Sequence, residues 1–266
     1  MPKHLRQDIY NIYAFSRIAD DFADQSPRPI FALKRIDGWE KCLDDALEDR
    51  LELSSFDSDE QHFMPLFLGL VDTIRKHNLT VQHFRDLLNA FRMDQEKNRY
   101  ENHWELRKYT QLSAQPIGRL VLEVFGEKNP ALIPYSDDIC TALQLTNHWQ
   151  DVKEDYLKDR LYIPLDEMDK FNVSEDDIDN SRCTENFAEL MKYQVSRTTV
   201  LFIRGKSIIY NVKYPLNMQL SLYWNAGLKA LDVIKRNNYN VFDCETKLDK
   251  WDKMNVAINS LFSLWF

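Results

Sequence analysis

Apolar residues recur every three or four positions along almost the whole chain, which restricts it to a helical architecture. The first such run consists of Leu5, Ile9, Ile12, Phe15, Ile18 and Phe22. This spacing places the apolar side chains on one face of a helix. Glycine is scarce, at 6 of 266 residues, and no stretch alternates apolar with polar residues over the length of a strand. We therefore predict an all-α protein.

Breaks in this pattern divide the chain into a series of predicted helices. After the break at residues 26–29, helices are expected at about residues 30–47, 64–76, 81–99, 104–125, 135–157, 184–210, 215–237 and 246–262. Thr80 is the predicted N-cap of the helix that starts at residue 81. Pro116 and Gly118 are expected to bend the helix of residues 104–125. No repeat, low-complexity linker or shift in composition marks a boundary, so residues 1–266 are predicted to form a single domain.

The net charge and the cysteines restrict the partners and the compartment. Acidic residues outnumber basic ones by 42 to 34, and the net charge of −8 disfavours binding to nucleic acid. The widely spaced Cys42, Cys140, Cys183 and Cys244 are typical of reduced thiols in a cytoplasmic protein. No apolar run approaches the ~20 residues that span a bilayer. The apolar residues 258–266 fit either a helix end in the core or a tail in peripheral contact with a membrane.

Polar residues with carboxylates line up on one helix face at two places in the chain. The first column consists of Tyr13, Arg17, Asp20 and Asp24. The second column consists of Gln144, Asn147, Asp151 and Asp155. Apolar residues flank both columns, and partly buried carboxylates repel one another unless a cation neutralises them. We interpret the columns as a metal site, although acidic residues at this spacing also occur on solvated helix faces without a function.

The types of ligand indicate magnesium. All candidate ligands are oxygens, and Mg²⁺ is typically held by one or two carboxylates together with water and phosphate oxygens. Zinc would need His or Cys at close spacing, whereas His148 stands alone and is interpreted as a packing or supporting residue. The chain has no glycine-rich phosphate loop, dinucleotide turn or Gly-x-Ser-x-Gly elbow. Two facing columns with bound Mg²⁺ would hold a diphosphate.

The chain resembles the squalene/phytoene synthase family at these residues. Residues 13–24 (Tyr-Ala-Phe-Ser-Arg-Ile-Ala-Asp-Asp-Phe-Ala-Asp) resemble the first aspartate-rich signature of the family. Residues 143–155 (Leu-Gln-Leu-Thr-Asn-His-Trp-Gln-Asp-Val-Lys-Glu-Asp), followed by residues 159–164 (Asp-Arg-Leu-Tyr-Ile-Pro), resemble the second. Residues 113–120 (Ser-Ala-Gln-Pro-Ile-Gly-Arg-Leu) resemble the helix bend between them. The resemblance is nearly full-length and implies an isoprenoid-synthase-type helical bundle around a central cavity.

Within this family, the chain is most similar to the hydroxysqualene synthase branch of bacterial hopanoid synthesis. The similarity lies in residues 90–95 (Ala-Phe-Arg-Met-Asp-Gln), 139–145 (Ile-Cys-Thr-Ala-Leu-Gln-Leu) and 149–152 (Trp-Gln-Asp-Val). Many condensing members of the family have Arg directly before the central Asp of the second motif, where this chain has Gln150. The resemblance therefore implies an enzyme that takes the cyclopropyl intermediate, presqualene diphosphate, as its substrate.

The resemblance also implies roles for individual residues. The implied Mg²⁺ ligands are Asp20, Asp24, Asn147, Asp151 and Asp155, and the four aspartates among them are the implied catalytic residues. The implied substrate-binding residues are Tyr13, Arg17, Asp94, Gln144, Asn147, Gln150, Arg160 and Tyr162. Arg160 and Tyr162 are expected on a flap over the site, with a simple loop anchor as the alternative, and Asp94 is either a contact in the cavity or a surface acid. Phe15, Phe22, Phe91, Leu143 and Trp149 are candidates for the cavity lining, although core packing is the simpler interpretation of each.

The implied reaction is the Mg²⁺-dependent conversion of presqualene diphosphate to hydroxysqualene, by ionisation, rearrangement and capture of water. One alternative is a head-to-head prenyl transferase that makes presqualene diphosphate, squalene or phytoene from two prenyl diphosphates. Another is a non-catalytic helical partner protein of the same pathway. The resemblance implies functional partnership with a presqualene diphosphate synthase. Relatives carry a further N-terminal segment before the stretch that matches residues 1–6, which leaves open that this chain lacks it.

Overall fold

The computed structural model of the chain describes residues 2–57 and 60–242, together with residues 252, 256 and 260. Its regular elements in these residues are all helices, as predicted. The α-helices are α1 (Arg6–Gln25), α2 (Pro29–Leu47), α3 (Met64–His77), α4 (Gln82–Glu96), α5 (His103–Ser113), α6 (Gln115–Val124), α7 (Ile133–Gln150), α8 (Val152–Leu157), α9 (Leu165–Lys170), α10 (Glu175–Asp179), α11 (Glu185–Gly205), α12 (Ser207–Asn211) and α13 (Leu216–Arg236). Residues 252, 256 and 260 are helical, and the rest of the helix predicted at residues 246–262 lies outside the described residues.

Three of the predicted helices are interrupted. The helix expected at residues 104–125 divides at Ala114 into α5 and α6, two residues before Pro116. A proline ring crowds the carbonyl group four residues earlier, which favours a break in this region. The helix expected at residues 135–157 divides at Asp151 into α7 and α8. The helix expected at residues 184–210 divides at Lys206 into α11 and α12.

The predicted cap of α4 is wrong. Val81 occupies the N-cap position, and the described structure has no side-chain cap there. The Thr80 hydroxyl instead donates to Oε1 of Glu123 at 2.6 Å, while the Thr80 backbone N–H donates to Oε2 of the same carboxylate at 2.9 Å. A threonine does cap α11, where the Thr184 hydroxyl accepts a hydrogen bond from the backbone N–H of Phe187 at 3.1 Å.

The described chain groups into two compact units. Unit 1 contains Met1–Lys97 and Pro116–Lys128, and unit 2 contains Asn98–Gln115 and Asn129–Phe266. The first aspartate column belongs to unit 1, and the second belongs to unit 2. The prediction of a single domain stays a prediction, as do the facing columns and the central cavity.

Unit 1 is built on an aromatic core beneath α1. The apolar stripe of α1 supplies Phe15, which contacts the rings of Trp39 on α2, Phe67 on α3 and Phe84 on α4. The indole N–H of Trp39 donates to the backbone carbonyl of Phe15 at 3.3 Å. These four side chains are buried, and aromatic rings in tilted and edge-to-face contact add to the burial of apolar area. The core therefore fixes which face of α1 remains available for polar residues.

Unit 2 is built on the close packing of α7 against α11. A Cβ atom on Gly205, the last residue of α11, would lie 2.6 Å from Cγ1 of Ile139 and 2.9 Å from the carbonyl oxygen of Tyr135. Such distances are not compatible with a side chain, so glycine permits the approach of the two helices. The α13 helix packs against both. A Cβ atom on Gly227 of α13 would likewise lie 2.2 Å from the ring of Phe202.

Two extended segments run side by side in unit 2 and hold the loop that follows α8. The backbone N–H of Leu161 donates to the carbonyl of Asn98 at 2.8 Å, and that of Leu165 donates to the carbonyl of Tyr100 at 2.9 Å. Arg99 and Leu161 form a parallel bridge. The loop thus has a defined backbone position. No helix in the described part of the chain combines the length and the apolar character needed to cross a membrane.

Candidate active site

The first aspartate column lies on α1 and faces away from the aromatic core. Tyr13, Arg17, Asp20 and Asp24 follow one another at intervals of four, three and four residues within one uninterrupted helix, which places them on a common face. Tyr13 and Asp24 are exposed, and the Asp20 side chain is 36% exposed. The expected column is therefore present on α1 and is accessible to solvent.

Arg17 contacts the carboxylates of its own helix. Its Nη1 donates to Oδ2 of Asp20 at 3.0 Å, and its Nη2 donates to Oδ1 of Asp21 at 2.7 Å. Both pairs are solvent-exposed, and such pairs contribute little to stability because water screens them. The guanidinium group therefore partly balances the charge of the motif, and it can exchange these partners for an anion at little energetic cost.

The predicted cavity contact Asp94 lies on α4 of the same unit and is half-buried. The next residue, Gln95, donates from Nε2 to the backbone carbonyl of Ala23 at 3.3 Å. This hydrogen bond ties the end of α4 to the last turns of α1. Phe15 and Phe22, which were candidates for the cavity lining, are buried in the core of unit 1 and pack against Trp39. Their surroundings support the core interpretation.

The second aspartate column crosses the junction of α7 and α8. Asp151 stands between the two helices with φ −104° and ψ 20°. The hydrogen-bond pattern nevertheless continues through it, because the N–H of Asp151 donates to the carbonyl of Asn147 at 2.9 Å and the N–H of Asp155 donates to the carbonyl of Asp151 at 2.8 Å. Asn147 is exposed, while Gln144, Asp151 and Asp155 are partly exposed. The four residues therefore stay on one face despite the break.

Trp149 anchors this motif inside unit 2. Its side chain is fully buried, and its indole N–H donates to the hydroxyl of Thr198 on α11 at 2.8 Å. The Thr198 hydroxyl in turn donates to the backbone carbonyl of Gln194 at 2.9 Å. Trp149 is thus a core residue. Its neighbour Gln150, the last residue of α7, is partly exposed.

A buried histidine lies directly behind the column. His148 is only 6% exposed, and its Nε2 lies 3.3 Å from Nε2 of Gln144. Its Nδ1 lies 3.7 Å from Oδ2 of Asp155. Burial lowers the pKa of His148, and the carboxylates of Asp155 and Asp151 only partly oppose this effect. The interpretation of His148 as a supporting residue agrees with this position.

The loop after α8 brings Tyr162 against the same histidine. The two rings stack with centroids 3.6 Å apart and planes at 19°. Tyr162 is 7% exposed and also contacts the rings of Tyr100 and Tyr109. Tyr100 and Tyr109 were not identified from the sequence, because they lie outside both motifs and their spacing gives no signal. Arg160, two residues before Tyr162, is partly exposed.

Arg99 anchors this loop and was likewise missed. Its guanidinium group donates to the backbone carbonyl of Asp159 at 2.8 Å, to the Asp159 carboxylate at 3.1 Å and to Glu175 at 3.0 Å. Asn98 adds a hydrogen bond from Nδ2 to Oδ2 of Asp159 at 2.7 Å. Arg160 and Tyr162 both lie on this braced loop, and the expectation that the loop forms a flap over the site stays a prediction. Their contact with a substrate stays a prediction.

The donors of the two columns suit magnesium. They are carboxylate and amide oxygens that solvent reaches, and Mg²⁺ combines one or two carboxylates with water and phosphate oxygens. Among the described residues, no group of three or more His, Cys, Asp and Glu side chains is gathered into a ready-made metal cage. The assignment of Asp20, Asp24, Asn147, Asp151 and Asp155 as ligands stays a prediction.

Comparison with known proteins gives a consistent result. The sequence model described as squalene/phytoene synthase matches residues 1–252. A phytoene synthase from Arthrospira platensis is 31% identical over 96% of this chain and 83% of its own length. A hydroxysqualene synthase from Sinorhizobium fredii is 32% identical over 88% of this chain and 76% of its own length.

A solved structure agrees with the sequence comparison. The crystal structure of the squalene synthase HpnC from Alicyclobacillus acidocaldarius superposes with a TM-score of 0.82 and 35% sequence identity, covering 91% of this chain and 87% of that one. The expected all-α fold of the isoprenoid-synthase type is therefore confirmed. The chain, by its sequence and its fold, belongs to the squalene/phytoene synthase family.

Proposed function

We propose that this chain converts presqualene diphosphate to hydroxysqualene in a Mg²⁺-dependent reaction. The observation that carries the proposal is Gln150, an uncharged residue directly before Asp151 in the second motif. Many condensing relatives have a cationic Arg at this position. The similarity to a hydroxysqualene synthase at 32% identity supports the same assignment.

The proposed reaction is balanced without a redox partner. The bond between the carbinyl carbon and the diphosphate oxygen breaks, and the diphosphate leaves with the electron pair. The cyclopropylcarbinyl cation rearranges, a water oxygen adds to it, and the proton of that water is lost to solvent or to the diphosphate. The products are an alcohol and diphosphate. Together they have the same oxidation level as the substrate and the water from which they form. A hydride donor such as NADPH is therefore not required.

The residues of each motif have separate tasks in this proposal. Asp20 and Asp24 of the first motif, and Asn147, Asp151 and Asp155 of the second, would be Mg²⁺ ligands. When bound, Mg²⁺ would neutralise the negative charge that develops on the leaving diphosphate.

The remaining polar residues would bind the substrate. Arg17 would exchange its exposed carboxylate partners for diphosphate oxygens, with Tyr13 beside it on α1. Gln144 would donate from its amide group to the diphosphate on the side of the second motif. Arg160 and Tyr162 on the braced loop, Gln150 at the end of α7 and Asp94 on α4 would be further contacts.

A second candidate function is head-to-head condensation of two prenyl diphosphates. The phytoene synthase from Arthrospira platensis, which is similar over 96% of this chain, favours this alternative. Both functions use the same Mg²⁺ chemistry and differ in the substrate that enters. Peripheral contact with a membrane and cooperation with an enzyme that supplies presqualene diphosphate are compatible with either.

Product analysis separates the two candidates. The purified protein is incubated with Mg²⁺ and either presqualene diphosphate, farnesyl diphosphate or geranylgeranyl diphosphate, each with and without NADPH. An equal yield of hydroxysqualene from presqualene diphosphate with and without NADPH supports the proposal. Turnover of a prenyl diphosphate alone to presqualene diphosphate or phytoene supports condensation instead.

A variant with both motifs altered tests whether the chain is a catalyst at all. Asp20→Asn combined with Asp151→Asn should abolish diphosphate release from every substrate. Unchanged product formation by this double variant would contradict both enzymatic assignments. Asp72→Asn, at an exposed position on α3, serves as the matched control and should retain wild-type activity.

A further inference from the structure

His148 contacts three residues that the proposed function places at the substrate. It lies on α7 between Gln144, four residues earlier, and Asp155, seven residues later, and both neighbours belong to the second column. The ring of Tyr162 covers it from the loop after α8. His148 itself is 6% exposed, and its two ring nitrogens face Gln144 and Asp155. It can therefore act only through the residues that it contacts.

The position of the Gln144 amide nitrogen favours one tautomer of the histidine. The amide nitrogen of Gln144 is a donor, and it can donate only to a ring nitrogen that carries no proton. In the favoured tautomer, Nε2 of His148 accepts at 3.3 Å and Nδ1 carries the ring proton. The same contact orients the Gln144 amide group, because one of its N–H groups is held by the ring.

The protonated nitrogen faces the carboxylate of Asp155. Nδ1 lies 3.7 Å from Oδ2, which is longer than a hydrogen bond but short enough for direct electrostatic attraction. The Asp155 side chain is 20% exposed, so water screens this attraction only in part. The N–H dipole therefore favours the rotamer of Asp155 that keeps Oδ2 beside the ring.

The aromatic side chains keep the histidine ring in this orientation. Tyr162 stacks on one face at 3.6 Å, and the ring of Tyr109 lies 6.3 Å away. Tyr109 and Tyr162 also contact Tyr100, so the ring belongs to a buried aromatic cluster. A rotation of His148 would break both the stacking and the contact with Gln144. A change in the position of the loop would therefore move the His148 ring and, through its contacts, the second motif.

We propose that His148 is a positioning residue that orients Gln144 and Asp155 for the substrate complex and couples them to the loop that carries Tyr162. This inference rests on the proposed function, because it concerns residues assigned there to diphosphate and Mg²⁺. A residue used only for packing could be apolar, whereas a buried imidazole is unfavourable unless its polar atoms are satisfied. Substitution of residues that orient metal ligands typically lowers metal affinity or activity by about 10–100-fold.

Three variants separate orientation from packing. His148→Phe keeps a ring for stacking on Tyr162 and removes both nitrogens. His148→Asn retains an N–H donor close to the position of Nδ1, and His148→Gln retains an amide close to the position of Nε2. The matched control is His83→Phe, a buried histidine on α4 that lies 3.5 Å from Glu123 and contacts neither motif.

The first readout is direct binding of a metal probe. Mn²⁺ is titrated into each protein with inorganic diphosphate present, and free Mn²⁺ is followed by electron paramagnetic resonance. We expect His148→Phe to weaken Mn²⁺ binding about 10–100-fold, His148→Asn to restore a substantial part of it, and His83→Phe to bind as wild type. Wild-type affinity in His148→Phe would overturn the inference.

The second readout is the tautomer in the unaltered protein, and it does not depend on the folding of any variant. Nitrogen-15 NMR of labelled histidine should show the proton of His148 on Nδ1. A proton on Nε2 would overturn the inference. If wild-type protein neither binds Mn²⁺ with diphosphate nor releases diphosphate from presqualene diphosphate, the proposed function itself fails. If the wild-type protein binds Mn²⁺ and releases diphosphate as expected, and His148→Phe binds Mn²⁺ equally well, only the role of His148 is contradicted.

Discussion

The aspartate motif of α1 lies on one uninterrupted helix, whereas the motif of α7 and α8 crosses the junction between two helices at Asp151. Around the first motif, Asp24 is exposed and Arg17 contacts Asp20 and Asp21 through solvent-exposed pairs. Around the second, buried side chains lie directly behind the carboxylates. Two motifs of similar composition are therefore held in place by different means.

The difference shows which part of the structure determines the geometry of each motif. In the first column, the two ion pairs of Arg17 are local to α1, and the aromatic core beneath the helix determines the face on which they lie. The positions in the second column depend on segments far along the chain, through the bond of Trp149 to Thr198 and the stacking of His148 on Tyr162. We therefore expect the second motif to respond more strongly than the first to changes in the packing of distant segments.

The largest expected effect comes from the carboxylates themselves. Asp20→Asn and Asp155→Asn should each lower kcat/KM for diphosphate release by about 10²–10³-fold, because each carboxylate would hold Mg²⁺ that stabilises the negative charge developing on the diphosphate. Steady-state kinetics at saturating Mg²⁺ measure this, with the exposed Asp72→Asn as the control. If the variant in one motif retained wild-type kcat/KM, that motif would be a solvated helix face without a catalytic role. The comparison would then be between a functional motif and a structural one.

The next largest effect tests whether tertiary packing positions the second motif. Gly205→Ala would place a Cβ atom 2.6 Å from Ile139 Cγ1 and 2.9 Å from the Tyr135 carbonyl oxygen, so α7 or α11 must shift. We expect a loss of about 1–3 kcal/mol in the free energy of unfolding and a fall in activity. Urea denaturation and kinetics on the same preparation measure both.

Gly38→Ala on α2 is the matched change in unit 1. No described atom lies within 4 Å of the Cβ position at Gly38, and alanine favours a helix over glycine by roughly 0.5–1 kcal/mol. This variant should therefore be as stable as wild type or more stable, with unchanged activity. If Gly205→Ala retained wild-type stability and activity, the packing of α11 would not determine the position of the second motif.

The same contrast explains how much the sequence could predict. The helices and both polar columns were predictable because they depend on spacing within a helix. The break at Asp151 was not predictable, because periodicity continues across it. The aromatic cluster around His148 was not predictable either, since Tyr109 and Tyr162 come from distant segments and only the folded chain brings them together.

A smaller effect concerns acid stability. His103 on α5 has a pKa of about 4, below its ordinary 6.5, mainly because burial disfavours its protonated form. The positive charges of Arg197 and Arg107 lower this pKa further, while the carboxylate of Glu167 raises it. The unfolded chain then binds more protons between pH 6.5 and about 4. Stability should therefore rise with pH across this window and be lost as the pH falls through it, by an amount on the order of 1 kcal/mol after allowance for solvent screening.

Denaturation at several pH values checks this expectation. His103→Gln should flatten the dependence of the unfolding free energy on pH between 6.5 and 4. In unit 1, the pKa of Asp8 is lowered by Lys76 and His77 against the effect of burial. Its contribution is lost only below its ordinary pKa of 3.8. If the unfolding free energy of wild type and His103→Gln depended on pH with an equal slope, His103 would not contribute, and the expected difference in acid stability between the units would be absent.

The smallest expected effect is at the exposed ion pair of the first motif. Asp21→Asn removes one partner of Arg17 and leaves its hydrogen bond to Asp20. Because solvent screens the pair, we expect a change below about 1 kcal/mol in the free energy of unfolding, and a still smaller change in high salt. A double-mutant cycle with Arg17→Gln, measured by urea denaturation at low and high ionic strength, isolates the pair. A coupling well above 1 kcal/mol that persists in high salt would mean that Arg17 is fixed in place, and the first motif would then be preorganised in the same way as the second.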